Sequence, residues 1–293
     1  MNFTAYIARA FCHHSLGGNP AGVVIVNNAS SFNSTQMQTI AKELNFSETV
    51  FISPIDFHSY KALYFTRTSS IDFCGHATLA AFGVLKQLGS LKDSIYLLDT
   101  QAGKCEVILK DHLIFLSQLL PVFGEKIEGR EIIPILGDCV SLDEPPPRIV
   151  STGLRDIFVC VQDDECLKSL KPNLALMAEL NRKTNSIGVH VFSLNPPGST
   201  NTAHCRNFAP LYGIDEESAT GSSNGALACY LFERGMLPPG SEHKLLFRQG
   251  DNLNAPSDIY VHLSSYEDTI KKIECGGEVV IDEARELKVP SIK

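Results

Sequence analysis

The sequence predicts an α+β protein of two similar halves, in which short strands outnumber helices and each half carries one apolar, alanine-rich helix. Two observations predict this. Cys74-Gly75-His76-Ala77-Thr78-Leu79-Ala80-Ala81 is answered 146 positions later by Thr220-Gly221-Ser222-Ser223-Asn224-Gly225-Ala226-Leu227-Ala228, each copy running from a small polar turn into an alanine-rich stretch. Around both copies, short apolar runs recur between glycine, proline and asparagine, the punctuation of strands. Backbone N–H groups at a helix start have no internal partner. They favour a carboxylate in front of them by roughly 0.3–1 kcal/mol, up to about 2 when partly buried. Two such starts facing one cleft would receive a small carboxylic acid.

In chain order, Phe3 to Ala10 and Ala21 to Val26 read as strands around the turn Leu16-Gly17-Gly18-Asn19-Pro20. Ser34 to Leu44 reads as a helix with Ser34 as its cap, and Glu48 to Ser53 as the next strand. Tyr60 to Thr66 is extended, and the first echo helix runs from about Gly75 to Leu88, stopped by Gly89. Strands follow at Ser94 to Leu98, Lys104 to Leu109 and Leu113 to Ser117. Gly124 to Pro147, with its run Pro145-Pro146-Pro147, is the expected crossing between halves, giving domains 1–123 and 124–277.

The second half repeats the scheme. Ile149 to Val150, Phe158 to Val161, Val189 to Ser193 and Thr202 to Phe208 read as extended, Asn173 to Asn181 as helical, and Gly221 to Arg234 as the second echo helix. Lys244 to Arg248, Ile259 to Leu263 and Ile270 to Glu274 read as separate strands, and a last one from Glu278 is expected to return, within 278–293, to the first domain.

Composition excludes several classes. The chain has 293 residues, 44% apolar and 20% charged, which is globular rather than disordered. A formal charge of −8 without a lysine or arginine cluster argues against nucleic acid or an anionic membrane as partner. Nine cysteines, an odd number without a CxxC pair, fit free thiols in a reducing compartment and offer no zinc signature. Cys160 and Cys166 have no evident partners. The N-terminus lacks the pattern of a secretory signal and no run approaches a membrane span, so the cytoplasm is expected. There is no GxGxxG or GxxxxGK[ST] phosphate loop and no GxSxG elbow. His13-His14 lacks a third ligand at a telling spacing.

A family resemblance rests on five segments in order: Gly18-Asn19-Pro20-Ala21-Gly22, Asn45-Phe46-Ser47-Glu48-Thr49, Asp72-Phe73-Cys74-Gly75-His76-Ala77-Thr78, Ala219-Thr220-Gly221-Ser222 and Gln249-Gly250. Together they resemble the phenazine-biosynthesis PhzF-like family, which has the diaminopimelate epimerase-like fold. The resemblance covers nearly the whole chain. It implies two pseudo-twofold-related lobes, each a sheet or barrel wrapped around a central helix, an active site in the cleft, a homodimer, and no cofactor or metal.

By that resemblance Glu48 is the catalytic residue, removing a proton from carbon and returning it elsewhere on the same substrate. A carboxylate of ordinary pKa, near 4.3, is a poor base toward carbon; burial beside Phe46, Val50 and Phe51 is expected to raise it. Substrate binding falls by the same resemblance to Asn19, Asp72, Gly75, His76, Glu217, Gly221 and Ser222. Asp72 reads equally well as a turn carboxylate; for His76 a packing role is the lesser reading. Where the family's phenazine enzyme has Asp-Pro before Ala-Thr-Gly, this chain has Glu217-Ser218, which puts the phenazine substrate itself in doubt. Arg67 is either a second anion contact or solvated.

Cys74 is the alternative catalyst. In the racemase branches of the fold, two cysteines at the helix starts work on opposite faces of an α-carbon. Here the second position is Thr220, too weak an acid and base for that task. A dehydratase or racemase using Cys74 and a non-enzymatic interaction protein remain the other readings.

Overall fold

The computed structural model describes residues 2–27, 32–143, 145–196 and 198–288. The chain divides into two compact units, Met1–Ser117 with Gly276–Lys293, and Gln118–Cys275. The proline-rich stretch expected as the crossing instead carries secondary structure of the second unit. Its prolines are bound in place: Ile127 N–H donates to Pro147 O and Tyr230 Oη to Pro146 O.

The first unit contains β1 (Asn2–Cys12), β2 (Asn19–Ile25), α1 (Ser34–Leu44), β3 (Glu48–Pro54), β4 (Ser59–Thr66), β5 (Ser70–Ile71), α2 (Gly75–Gln87), β6 (Ile95–Thr100), β7 (Gly103–Lys110) and β8 (Leu113–Ser117). The second contains β9 (Val122–Lys126), α3 (Gly129–Leu136), β10 (Arg148–Ser151), β11 (Arg155–Cys160), α4 (Asp164–Ser169), α5 (Leu174–Thr184), β12 (Gly188–Leu194), β13 (Ala203–Ala209), β14 (Ile214–Glu217), α6 (Gly221–Glu233), β15 (Glu242–Gln249) and β16 (Ser257–Tyr266). The last strand, β17 (Thr269–Lys288), belongs to both. Two strands expected at Ile270 and Glu278 are thus one, because nothing between Cys275 and Glu278 turns the chain. Gly276 continues the strand where any Cβ would strike the backbone of Ile114 and Phe115 on β8. Residues 278–288 pair antiparallel with β1; the expected continuation through 289–293 lies outside the described residues.

The two units repeat one connection plan. In the first, β1–β2 is antiparallel, β2–β3 parallel, β3–β4 and β4–β5 antiparallel, β4–β6 parallel and β6–β7 antiparallel. In the second, β10–β11, β11–β12, β12–β13, β13–β14, β13–β15 and β15–β16 follow in the same order and sense. The parallel pairs need crossover connections. α1 supplies one in the first unit, α4 and α5 the matching one in the second, and α2 and α6 the other pair.

Helix composition decides which helices lie inside. α1 is amphipathic, burying Met37, Ile40, Ala41 and Leu44 against Phe51 and Phe65 while its other face meets water. Its cap is Asn33, one residue before the expected Ser34, in a reciprocal box with Gln36. α2 is apolar on all sides, and every residue from His76 to Leu85 is buried. It packs on β1, β2, β3 and β8. α6 is its counterpart, buried from Ser223 to Leu231 and packed on β10 and β16. Around the second unit's outer helices a separate core gathers Ile132, Ile135, Met177 and Leu180 against Val159, Val189 and Val191.

Candidate active site

Glu48 occupies its position because Asn45, left-handed at φ 61, ends α1 and turns the chain into β3, of which Glu48 is the first residue. β3 runs parallel to β2, whose first residue is Asn19. Gly18 precedes it at φ +81, where a Cβ would lie 2.7 Å from Ala10 O. α2 begins at Gly75, and Cys74 and His76 flank that start. These elements bring four of the expected residues together. His76 Nε2 lies 3.3 Å from Glu48 Oε2. Its Nδ1 lies 3.3 Å from Asn19 Nδ2 and 3.4 Å from Cys74 Sγ. All are withdrawn from solvent, His76 at 7% side-chain exposure and Glu48 at 15%. Thr78, which closes the quoted motif, and Tyr64, which no sequence signal singled out, pin the turn: Tyr64 Oη and Thr78 Oγ1 are 2.6 Å apart, and Thr78 Oγ1 donates to Cys74 O at 2.7 Å.

The electrostatics correct one expectation. Burial does push the Glu48 carboxyl up, as its apolar flanks suggested. The His76 ring, by hydrogen bond and charge, with Ser47 and Arg67, outweighs burial and holds it below its ordinary value. Burial opposes charge on His76 but is outweighed by its contacts with the Cys74 sulfur and the Glu48 carboxylate, which raise the ring well above its usual value; with the thiol protonated, the carboxylate is the charge that favours imidazolium at neutral pH. The pair therefore favours carboxylate and imidazolium. The Nε2–Oε2 contact is within ion-pair range but poorly aligned, leaving Oε2 a buried acceptor without a well-directed donor. Asn19 suits either ring state: its amide N–H donates to a neutral Nδ1, and the amide turned over accepts from a protonated one. Burial raises the Cys74 thiol above its ordinary value, so it stays protonated at neutral pH.

Glu48, Cys74 and His76 also bring a carboxylate oxygen, a sulfur and a ring nitrogen within 4.8 Å of one another, a donor set that could hold a metal ion. Ligation there would displace the Cys74 thiol proton. Asp72 is exposed on the turn before Cys74, and Arg67 is exposed as well.

The outer helices α1, α4 and α5 are capped by the side chains of Asn33, Asp163 and Asn173. Neither α2 nor α6 has a side-chain cap, so the first-turn donors of both remain free of that competition. In the second unit Gly221 and Ser222 open α6, half-buried. Gln118 and Thr152 support their carbonyls: Gln118 Nε2 donates to Gly221 O at 3.0 Å, and Thr152 Oγ1 to Ser222 O at 3.2 Å. Glu217 Oε2 accepts from Thr220 Oγ1 at 2.6 Å. Gln249, buried to 1% exposure, ties the turn together. Its Oε1 accepts from Thr220 N and Asn224 Nδ2, and its Nε2 donates to Glu217 O and Thr220 Oγ1. The sequence signal was the Gln249-Gly250 pair itself: Gly250, at φ +87, lies where a Cβ would meet Ser218 O at 2.6 Å.

Comparison with known proteins accounts for this arrangement. A family model described as phenazine biosynthesis-like protein matches residues 8–285. The chain belongs to that family. It is 33% identical over 278 residues, 90% of this chain and 88% of the relative, to an uncharacterized isomerase of Deinococcus radiodurans. It is 28% identical over 281 residues, 94% of this chain and 95% of the relative, to the trans-2,3-dihydro-3-hydroxyanthranilate isomerase of Pseudomonas chlororaphis. The crystal structure of a Bacillus anthracis PhzF-family protein superposes with a TM-score of 0.87 over 99% of this chain and all of the other, at 23% identity. Like these relatives, the chain is an isomerase. Among the described residues no helix is long and apolar enough to cross a membrane.

Proposed function

We propose that this family member isomerises a small, carboxylate-bearing metabolite without a cofactor, Glu48 removing a proton from carbon and returning it to another carbon of the same molecule. The observation that carries this reading is the buried contact of Glu48 with His76 beside the uncapped start of α2. In the resting protein His76 keeps Glu48 a weak base. A substrate carboxylate received by the Gly75 and His76 N–H groups competes for the His76 ring. Burial, the largest single influence on Glu48, then dominates and raises its basicity while the reacting carbon is in place. Binding thus switches the base on. Glu217, Gly221 and Ser222 are proposed as further substrate-binding residues on family resemblance, and the uncapped start of α6 supports them.

The trans-2,3-dihydro-3-hydroxyanthranilate isomerase relative makes a cyclic hydroxy- or amino-substituted acid the first class to try. The departure at Glu217-Ser218 sets this site apart from the phenazine enzyme's. The thiol reading is weaker, because Cys74 retains its proton and Thr220 stands at the second position. We also carry the homodimer as a proposal, checked by light scattering for twice the chain mass.

Ligand screening by thermal shift, followed by turnover in deuterated water, tests the assignment. A cyclic acid should raise the melting temperature and its methyl ester should not. Glu48→Gln should lower turnover at least about 10²-fold with binding retained. A near-silent Glu48→Gln beside an inactive Cys74→Ser would move the chemistry to the thiol.

A further inference from the structure

Two of the nine thiols, both outside the candidate active site, are not isolated. Cys139 follows the turn that ends α3, and Cys166 lies in α4. Their sulfurs are 2.6 Å apart. Sequence spacing hid the pair, because 27 residues separate its members. Neither is fully buried, unlike Cys12, Cys74, Cys160, Cys205, Cys229 and Cys275. Both stand on anchored backbone. Cys139 O accepts from Gln162 N at 3.0 Å, and Val140 bridges Val161 beside it. Cys166 N donates to the Asp163 cap at 2.8 Å. The approach therefore belongs to the packing of the α3–β10 connection against the start of α4.

We propose that Cys139 and Cys166 are a thiol modification site that closes to an intramolecular disulfide by exchange with a small-molecule disulfide of the glutathione class. A disulfide needs sulfurs about 2.05 Å apart, so closure takes a shift of about half an ångström. The steps balance. One of the two sulfurs, as thiolate, attacks one sulfur of the oxidised glutathione, forming a mixed disulfide and expelling one glutathione thiolate. The other then loses its proton to solvent and attacks the protein sulfur of that mixed disulfide, expelling the second. Two protein thiols are oxidised and one small disulfide is reduced to two thiols.

The test equilibrates the full chain with oxidised glutathione, blocks remaining thiols with an alkylating agent, and maps tryptic peptides by mass spectrometry. The expected product links peptide 131–148 to peptide 156–168, with fragmentation assigning the second sulfur to Cys166 rather than Cys160. Seven thiols should stay alkylatable. Cys166→Ser and Cys139→Ser should each form no bridge and stop at a glutathione adduct on the remaining sulfur. Nine alkylated thiols after treatment of the wild-type chain, or a glutathione adduct in place of the bridge, would overturn the proposal. Circular dichroism of each variant verifies that it is folded before exchange.

Discussion

Replacing Gln249 by leucine removes the four hydrogen bonds that tie β15 to the turn before α6 at nearly constant volume. The losses are unequal. Thr220 N–H becomes a half-buried donor without its partner, worth about 1–3 kcal/mol. Asn224 Nδ2 keeps its bond to Thr220 O, and Thr220 Oγ1 keeps its bond to Glu217, so those contacts cost less, about 0.5–1.5 kcal/mol each, as does Glu217 O. The leucine returns part of this as apolar burial, roughly 1–2 kcal/mol. A net loss of about 2–5 kcal/mol is expected. Urea unfolding followed by far-ultraviolet circular dichroism measures it, the signal chosen because the chain has no tryptophan. The midpoint should fall with little change in slope. A loss below about 0.5 kcal/mol would refute the reasoning, showing that water replaces Gln249 without penalty and that the turn does not depend on it.

Stability should also depend on pH through the active-site pair. Glu48 is held below its ordinary 4.5, so its contribution is present above that value and is lost as pH falls through the lowered folded value. His76 is raised above 6.5, so its contribution is complete below that value and is lost as pH rises through the raised one. Wild type minus His76→Gln, by urea midpoint across pH, should therefore be largest between about 4.5 and 6.5; a flat difference would contradict the ion pair. Gly83→Ala should destabilise the protein by about 1–3 kcal/mol, because the new methyl overlaps the Val279 side chain, and Val279→Ala should restore most of that loss in the double mutant. Asn33→Ala should cost about 1 kcal/mol by uncapping α1, whereas Ser34→Ala should cost less than half of that.

The amino-acid sequence by itself determined the plan of the protein. Periodicity and punctuation located most strands and the helices α1, α2, α5 and α6 to within a few residues, because those signals are local. The glycine-opened echo marked the two helices that became the buried centres, since a helix apolar on every face has nowhere else to go. Motif order named Asn19, Glu48, Cys74, Gly75 and His76, which β2, β3 and α2 then gathered. Tertiary structure decided the rest. α3 was illegible because Pro134 sits inside it, and α4 because six residues carry little period. Glu48's apolar neighbours predicted a raised pKa; only the fold brought His76, 28 residues away in sequence, close enough to reverse the sign. The same holds for Gln249 at the start of α6 and for Cys139 beside Cys166: hydrogen bonds and sulfur contacts act over a few ångströms, and which residues come within that range is set by strand pairing and helix packing, which no local pattern records.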